Sequence, residues 1–187
     1  MREVTVRDAL REALREEMHR DKAVFLLGEY IGHYWGGAFG VTKRLAEEFG
    51  DDRVRDTPIS ENAIIGAGIG AAITGMRPIA EIMFGDLCAL AMDQICNQAA
   101  KIRYMFGGQA SVPLIVRTPF GAGVNVASHH SQSLEAWFMH TPGLHMAVPS
   151  TPYDAKGLLK AAIRGNNPVF FVEHKLLYPI KGMIPDE

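Results

Sequence analysis

The sequence predicts an α/β fold of three layers, αβα, with a mainly parallel sheet. Two observations carry this. Short apolar runs alternate with segments of helical period along the whole chain. The runs are also uninterrupted by polar residues, as strands covered on both faces require.

The elements follow in order. Thr5 and Asp8 form a capping-box pattern, and Val6, Leu10, Ala13, Leu14 and Met18 then recur on one helical face. Residues 23–27 are an apolar run ending in Gly28-Glu29, which reads as a buried strand. Residues 41–49 read as a short helix closed by Gly50, and 54–56 as a weak strand. Ser60 is placed to cap a helix over 61–74, which Gly75 stops. Residues 79–83 read as a strand after Pro78, and 87–104 as one long helix ended by Gly107-Gly108. Residues 114–117 read as a strand followed by a glycine-rich loop and a helix reaching Met139. A strand over 145–148 precedes a helix whose Thr151, Pro152 and Asp154 stand in cap order. Residues 169–172 form the last predicted strand, and 181–187 read as the start of a linker after a domain over 1–180.

Composition narrows the function classes. With 48% hydrophobic and 21% charged residues, the chain can fill a core and is not disordered. The net charge of −2, without a basic stripe, argues against a nucleic-acid surface. No apolar run is long enough for a membrane span, and the charged N-terminus has no signal core. Cys88 and Cys96 are too far apart on a helix for a disulfide and read as free thiols of a reducing, cytoplasmic compartment.

Ligands of parallel α/β sheets bind beyond the carboxyl ends of the strands. Three candidate segments lie there. Glu61 opens a helix rich in small residues, with Gly66, Gly68 and Gly70. Such a helix is expected to be buried, and its glycines, costing about 1 kcal/mol each, to admit close backbone approach. The plain alternative is a first-turn acid that only favours the helix dipole. His129-His130 follows the glycine-rich loop and suits proton transfer or substrate contact, or else surface capping; no third ligand gives the pair a zinc spacing. Asp86, in Phe84-Gly85-Asp86, reads by default as an N-cap. Gly66, Gly68 and Ala71 also match the dinucleotide fingerprint, but with little room for the strand that should precede it.

Taken together, DTPISENAIIGAGIGAAITGMRPIAEIMFGD, MDQICNQAAKIRYMFGG, HHSQSLEAWFMHTPGL and DAKGLLKAAIRGNNPVFFVE resemble beta subunits of 2-oxo acid dehydrogenases of the pyruvate, branched-chain and acetoin types. The resemblance covers essentially the whole chain. It implies a thiamin-diphosphate-binding, transketolase-like pyrimidine domain, with a C-terminal domain of the family not represented in these residues.

By the same resemblance, Glu61 hydrogen-bonds the aminopyrimidine ring nitrogen of thiamin diphosphate, a dry pocket raising its pKa for that role. His130 faces the 2-oxo acid, acetoin or lipoyl thiol. Leu87 stands where many relatives pack an aromatic residue on the pyrimidine. Glu29 and Asp93 match acids lining a tunnel between paired sites. Leu114, Ala162, Ile163, Gly165 and Asn167 match a structural potassium site, with Gly165 replacing an acid. Magnesium and the diphosphate fall to an alpha subunit, because Gly85-Asp86 is followed by Leu87 rather than glycine, and Asn97 comes too soon. The implied assembly is a heterotetramer with an alpha subunit and a second beta subunit, passing acyl groups to the lipoyl domain of an acyltransferase. A non-catalytic assembly module is the alternative from another class.

Overall fold

A computed structural model describes residues 1–33 and 35–186. Six strands form one wholly parallel sheet: β2 (Val24–Gly28), β3 (Val54–Asp56), β4 (Arg77–Glu81), β5 (Ile115–Phe120), β6 (His145–Ala147) and β7 (Val169–His174), in the order β3-β2-β4-β5-β7-β6. On one face, α1 (Val6–Arg20), α2 (Leu45–Phe49) and α6 (Pro152–Arg164) cover Val24, Leu26, Ile79, Ile115 and Phe171. On the other, α3 (Glu61–Ile73) and the segments that follow it cover Phe25, Leu27, Ala80, Val116, Phe170 and Val172. Alternate strand residues thus feed opposite cores, as the pleat dictates. That is why the strands read as continuous apolar runs.

The chain runs outward from β2 to β3, then crosses back over β2 to β4. This reversal leaves a switch point between the carboxyl ends of β2 and β4, where parallel sheets open a crevice. Glu29 follows one of these strands and Phe84 to Asp86 the other.

Several elements match their sequence expectation, and the differences have physical causes. Thr5 and Thr151 cap α1 and α6, each accepting a hydrogen bond at 3.1 Å from the N–H of Asp8 and Asp154. Ser60 makes no such side-chain bond; its carbonyl accepts from Ile64 N–H at 2.9 Å instead. Helix α2 begins only at Leu45, because Arg44 has a left-handed backbone, φ +70°, that a continuous helix cannot include.

The expected single helix over 87–104 is three pieces: a 3-10 turn over Gly85–Ala91, a π-helical stretch over Asp93–Ala99 and α4 (Ile102–Met105). Cys88, Ala91, Ile95 and Ala99 still form its buried face. Apolar spacing therefore predicted the face, but not the winding. Tight packing at its start explains part of this: a Cβ on Gly85 would lie 1.9 Å from the Phe120 ring.

The helix expected to reach Met139 is confined to α5 (Glu135–Met139), with a separate 3-10 turn at Ser128–His130. Residues 181–184, expected as linker, form β8 (Lys181–Ile184), paired antiparallel with β1 (Arg2–Thr5). Glu187, the last of the expected linker, lies outside the described residues. Both β1 and β8 are short and carry charge, so no local pattern announces them.

Candidate functional site

The site is built where the strands end. Gly28 of β2 pairs with Asp56 of β3 and Glu81 of β4, which brings three chain exits together. Glu29 leaves β2 and is only 4% exposed. From β3, residues 57–60 lead into α3, whose first residue, Glu61, is 5% exposed. Burial, helped by the charge of Glu61, raises the pKa of Glu29. Glu29 Oε1 is buried without a hydrogen-bond partner among the described residues, and so is Thr57 Oγ1. Unpaired buried oxygens are costly and mark a place for a donor. Two carboxyls in a dry corner suit a ligand that brings N–H groups and a protonatable nitrogen.

Past β4, Asp86 is not an N-cap. Its Oδ1 accepts from Gln132 N–H at 3.1 Å and Gln132 Nε2 at 2.9 Å, while Oδ2 is buried and unpaired. Leu87 is half-buried beside this turn and packs against the core under α3. Past β5, His130 ends the 3-10 turn, half-buried, with its ring 4.7 Å from that of Phe84 in an edge contact. His129 is exposed. Asp93 is exposed as well, and its carboxylate accepts from Asn97 Nδ2 at 2.8 Å. The structure therefore brings Glu29 and Glu61 together, sets Leu87 and His130 on either end of the Phe84–Leu87 segment, and leaves Asp93 on the surface.

Sequence reasoning missed an ionic cluster beneath the site. Arg117 of β5 donates from Nε and Nη2 to Glu173 at 2.6 and 2.8 Å and from Nη1 to Glu81 at 2.9 Å. Tyr178 donates its hydroxyl to Glu173 at 2.7 Å. All four residues are buried. One guanidinium serves two carboxylates, and burial pushes the Glu81 pKa up to about 7. The available signal, against the reading of unbroken apolar runs, was a charged residue within, ending or directly following each of three strand runs. Lys175 was also missed; it is 2% exposed and donates to the His130 carbonyl.

Of the implied potassium ligands, four have carbonyls that already accept a hydrogen bond, and Asn167 is half-buried. The carbonyls of Ile163 and Gly165 both accept from Arg77 Nη1, at 2.8 and 2.7 Å. Leu114 carbonyl accepts from Val169 N–H at 2.9 Å, and Ala162 carbonyl from Gly165 N–H at 3.1 Å. A guanidinium thus already donates to two of the five. No group of three or more His, Cys, Asp or Glu side chains among the described residues is arranged to hold a metal. Nor does the dinucleotide fingerprint have its required setting. Gly66, Gly68 and Ala71 lie within α3 rather than in a turn between strand and helix.

Helix α3 is less enclosed than expected. Gly68 does permit close approach, since a Cβ there would lie 2.9 Å from Leu114 Cδ1. Gly70 faces open space, and Asn62, Ala63, Ala67 and Ile73 are exposed beside it.

Comparison with known proteins agrees with this architecture. Residues 2–181 match the family described as transketolase, pyrimidine binding domain. The chain is 54% identical over 187 residues to the pyruvate dehydrogenase E1 component subunit beta of Gracilaria tenuistipitata var. liui, covering 100% of this chain and 58% of that one. It is 51% identical over 197 residues to the acetoin:2,6-dichlorophenolindophenol oxidoreductase subunit beta of Bacillus subtilis (strain 168), with the same coverage of 100% and 58%. With the 2-oxoisovalerate dehydrogenase subunit beta of the same organism it shares 55% over 179 residues, 95% of this chain and 54% of that one. The chain thus spans little more than half the length of these relatives. Among solved structures, a transketolase from Leishmania mexicana superposes with a TM-score of 0.71 at 15% identity, covering 92% of this chain and 25% of that one. A dry corner beyond β2 and β3, an acid opening α3 and a match over nearly every residue converge on one assignment: the chain belongs to the transketolase pyrimidine-binding domain family.

Proposed function

We propose that this chain is the pyrimidine-binding part of a beta subunit in a thiamin-diphosphate-dependent 2-oxo acid or acetoin dehydrogenase. The observation that carries this reading is the buried pair Glu29 and Glu61, with Glu29 Oε1 lacking a partner. Bound thiamin diphosphate supplies the electron sink for decarboxylation. The residues here bind and orient its aminopyrimidine.

Glu61 offers its carboxyl to the ring nitrogen. Its place at the first turn of α3 fixes the carboxyl against a rigid element. Glu29 accepts from a donor on the ligand side and keeps water out. Leu87 packs on the ring through dispersion alone. His130, on the far side of Phe84, moves a proton to or from the substrate or the lipoyl thiol. Asp93 serves from the surface, toward a paired site. Magnesium and the diphosphate are held by an alpha subunit, whose absence leaves the chain inactive. Exposed Ile73, Leu90, Tyr104, Met105, Phe106 and Met139 support burial against an alpha subunit and a second beta subunit.

The test is Glu61→Gln in the assembled enzyme. Turnover is lost while the circular dichroism spectrum and thermal midpoint stay close to wild type. Near-normal turnover overturns the reading. Calorimetry with thiamin diphosphate and magnesium checks the division of labour: tight binding appears only when the alpha subunit is present.

A further inference from the structure

Three consecutive residues at the end of β7 grip the loop that carries His130. The His174 ring sits against Gly121, where an added Cβ would lie 2.3 Å from His174 Nε2. Lys175 donates from Nζ to the His130 carbonyl. Leu176 packs on Gly123, where an added Cβ would lie 2.6 Å from Leu176 Cδ1. The turn is itself fixed, since His174 Nδ1 accepts from Leu176 N–H at 3.3 Å. From the other side, Asp86 holds Gln132, two residues beyond His130.

Lys175 stands out because its burial is expensive. The residue is 2% exposed, and its ammonium makes no direct ion pair among the described residues, the nearest charge acting on it being the buried Asp86 carboxylate. Its hydrogen bond goes to a neutral carbonyl. Its other contact is the face of the Phe84 ring, 4.9 Å from the centroid. Phe84 in turn makes the 4.7 Å edge contact with the His130 imidazole. One ammonium therefore binds the backbone of His130 and the ring that backs its side chain. The segment it secures is also strained, because Ala127 adopts φ +63° three residues before His130. Such a backbone persists only where its surroundings hold it.

We propose that Lys175 is a positioning residue that sets the orientation of the His130 imidazole through the His130 carbonyl and the Phe84 ring. The proposal deepens the role given to His130 and rests on it for its effect on turnover, but not for its effect on geometry.

The test separates the two. The chain is labelled with ¹³C at the histidine rings, and the His130 signal is assigned among the seven histidines by its loss in His130→Gln. In Lys175→Met the His130 signal shifts or broadens, while those of His19, His33 and His145 stay in place. Lys175→Arg restores most of the wild-type position. In the assembled enzyme Lys175→Met lowers kcat about tenfold or more, the scale of a misplaced catalytic group, with little change in KM. The double variant Lys175→Met/His130→Ala is no slower than His130→Ala alone.

An unmoved His130 signal in Lys175→Met overturns the proposal, even if the thermal midpoint falls, because Lys175 is then only structural. Should Lys175→Met fail to fold, Lys175→Gln is read by the same signals. If the signal moves while both Lys175→Met and His130→Ala leave turnover intact, it is the role of His130 that fails and the positioning stands.

Discussion

Glu29 and Glu61 lie close enough in the protein interior for the charge of one to raise the pKa of the other. Burial is the larger cause, and the neighbouring carboxylate adds to it. The shift fixes the sign of a pH effect. A carboxyl whose pKa is higher in the folded state binds more protons there, so its contribution to stability is full at low pH and is lost as pH rises through the folded value. Glu29→Gln removes that loss. The variant gains thermal midpoint over wild type at about pH 8 and little at about pH 5, below which the difference in proton binding closes. An equal gain at both values would show that Glu29 is not the group responsible.

The Arg117 cluster predicts a larger effect. Arg117→Met strands Glu81 and Glu173 as buried carboxyls without their cation. Breaking a buried ion pair from one side costs about 3–5 kcal/mol, a large part of a domain's stability. Urea denaturation of the variant should show a midpoint far below wild type. Glu81→Gln is milder, since the amide oxygen still accepts from Arg117. The Glu81 pKa is pushed up to about 7, so this variant also removes a loss of stability that wild type suffers as pH rises toward neutrality. Parallel melting curves for the two proteins across that range would count against the assignment.

Arg77 predicts indifference to potassium. Its guanidinium already bridges Ile163, Gly165 and the Asn166 side chain, whose Oδ1 accepts from Nη2 at 2.8 Å. Exchanging potassium for choline at constant ionic strength should leave the thermal midpoint of the chain unchanged. Arg77→Met should lower it, as three acceptors lose a charged donor worth about 1.5–3 kcal/mol per bond at most. A marked fall in wild type without potassium would restore the metal site.

Two of the three glycines of α3 predict opposite outcomes. Gly70 meets nothing within 4 Å, so Gly70→Ala should stabilise the isolated chain by about 0.5–1 kcal/mol through helix propensity. Gly68→Ala should gain less or lose, because its new methyl lies 2.9 Å from Leu114 Cδ1. If Gly70→Ala also weakens assembly with partner subunits, measured by sedimentation, the open face of α3 is where they meet.

Much of the fold was legible because it follows from period and punctuation. Apolar runs gave the strands of the parallel sheet, Val54–Asp56 only weakly, and Thr5 and Thr151 marked helix starts that the structure keeps. Burial of Glu61 at the start of α3 was legible too, from an acid set before a run of small residues. What stayed hidden depends on contacts between distant residues. The β1–β8 pair joins segments nearly the whole chain apart. The close approach of Phe120 to Gly85, at the start of the broken 87–104 helix, is encoded by no local pattern. Lys175 looks like any surface lysine until β7 carries it beneath the His130 loop. Asp86 looks like a cap until Gln132 arrives from a segment 46 residues away.

The outer strands of the six-stranded sheet, Val54–Asp56 and His145–Ala147, are only three residues long. Such stubs offer an incoming chain too few free peptide groups to template cross-β growth. Isolated copies would therefore stick side by side through exposed oily helical faces, giving soluble clusters or amorphous precipitate rather than fibrils.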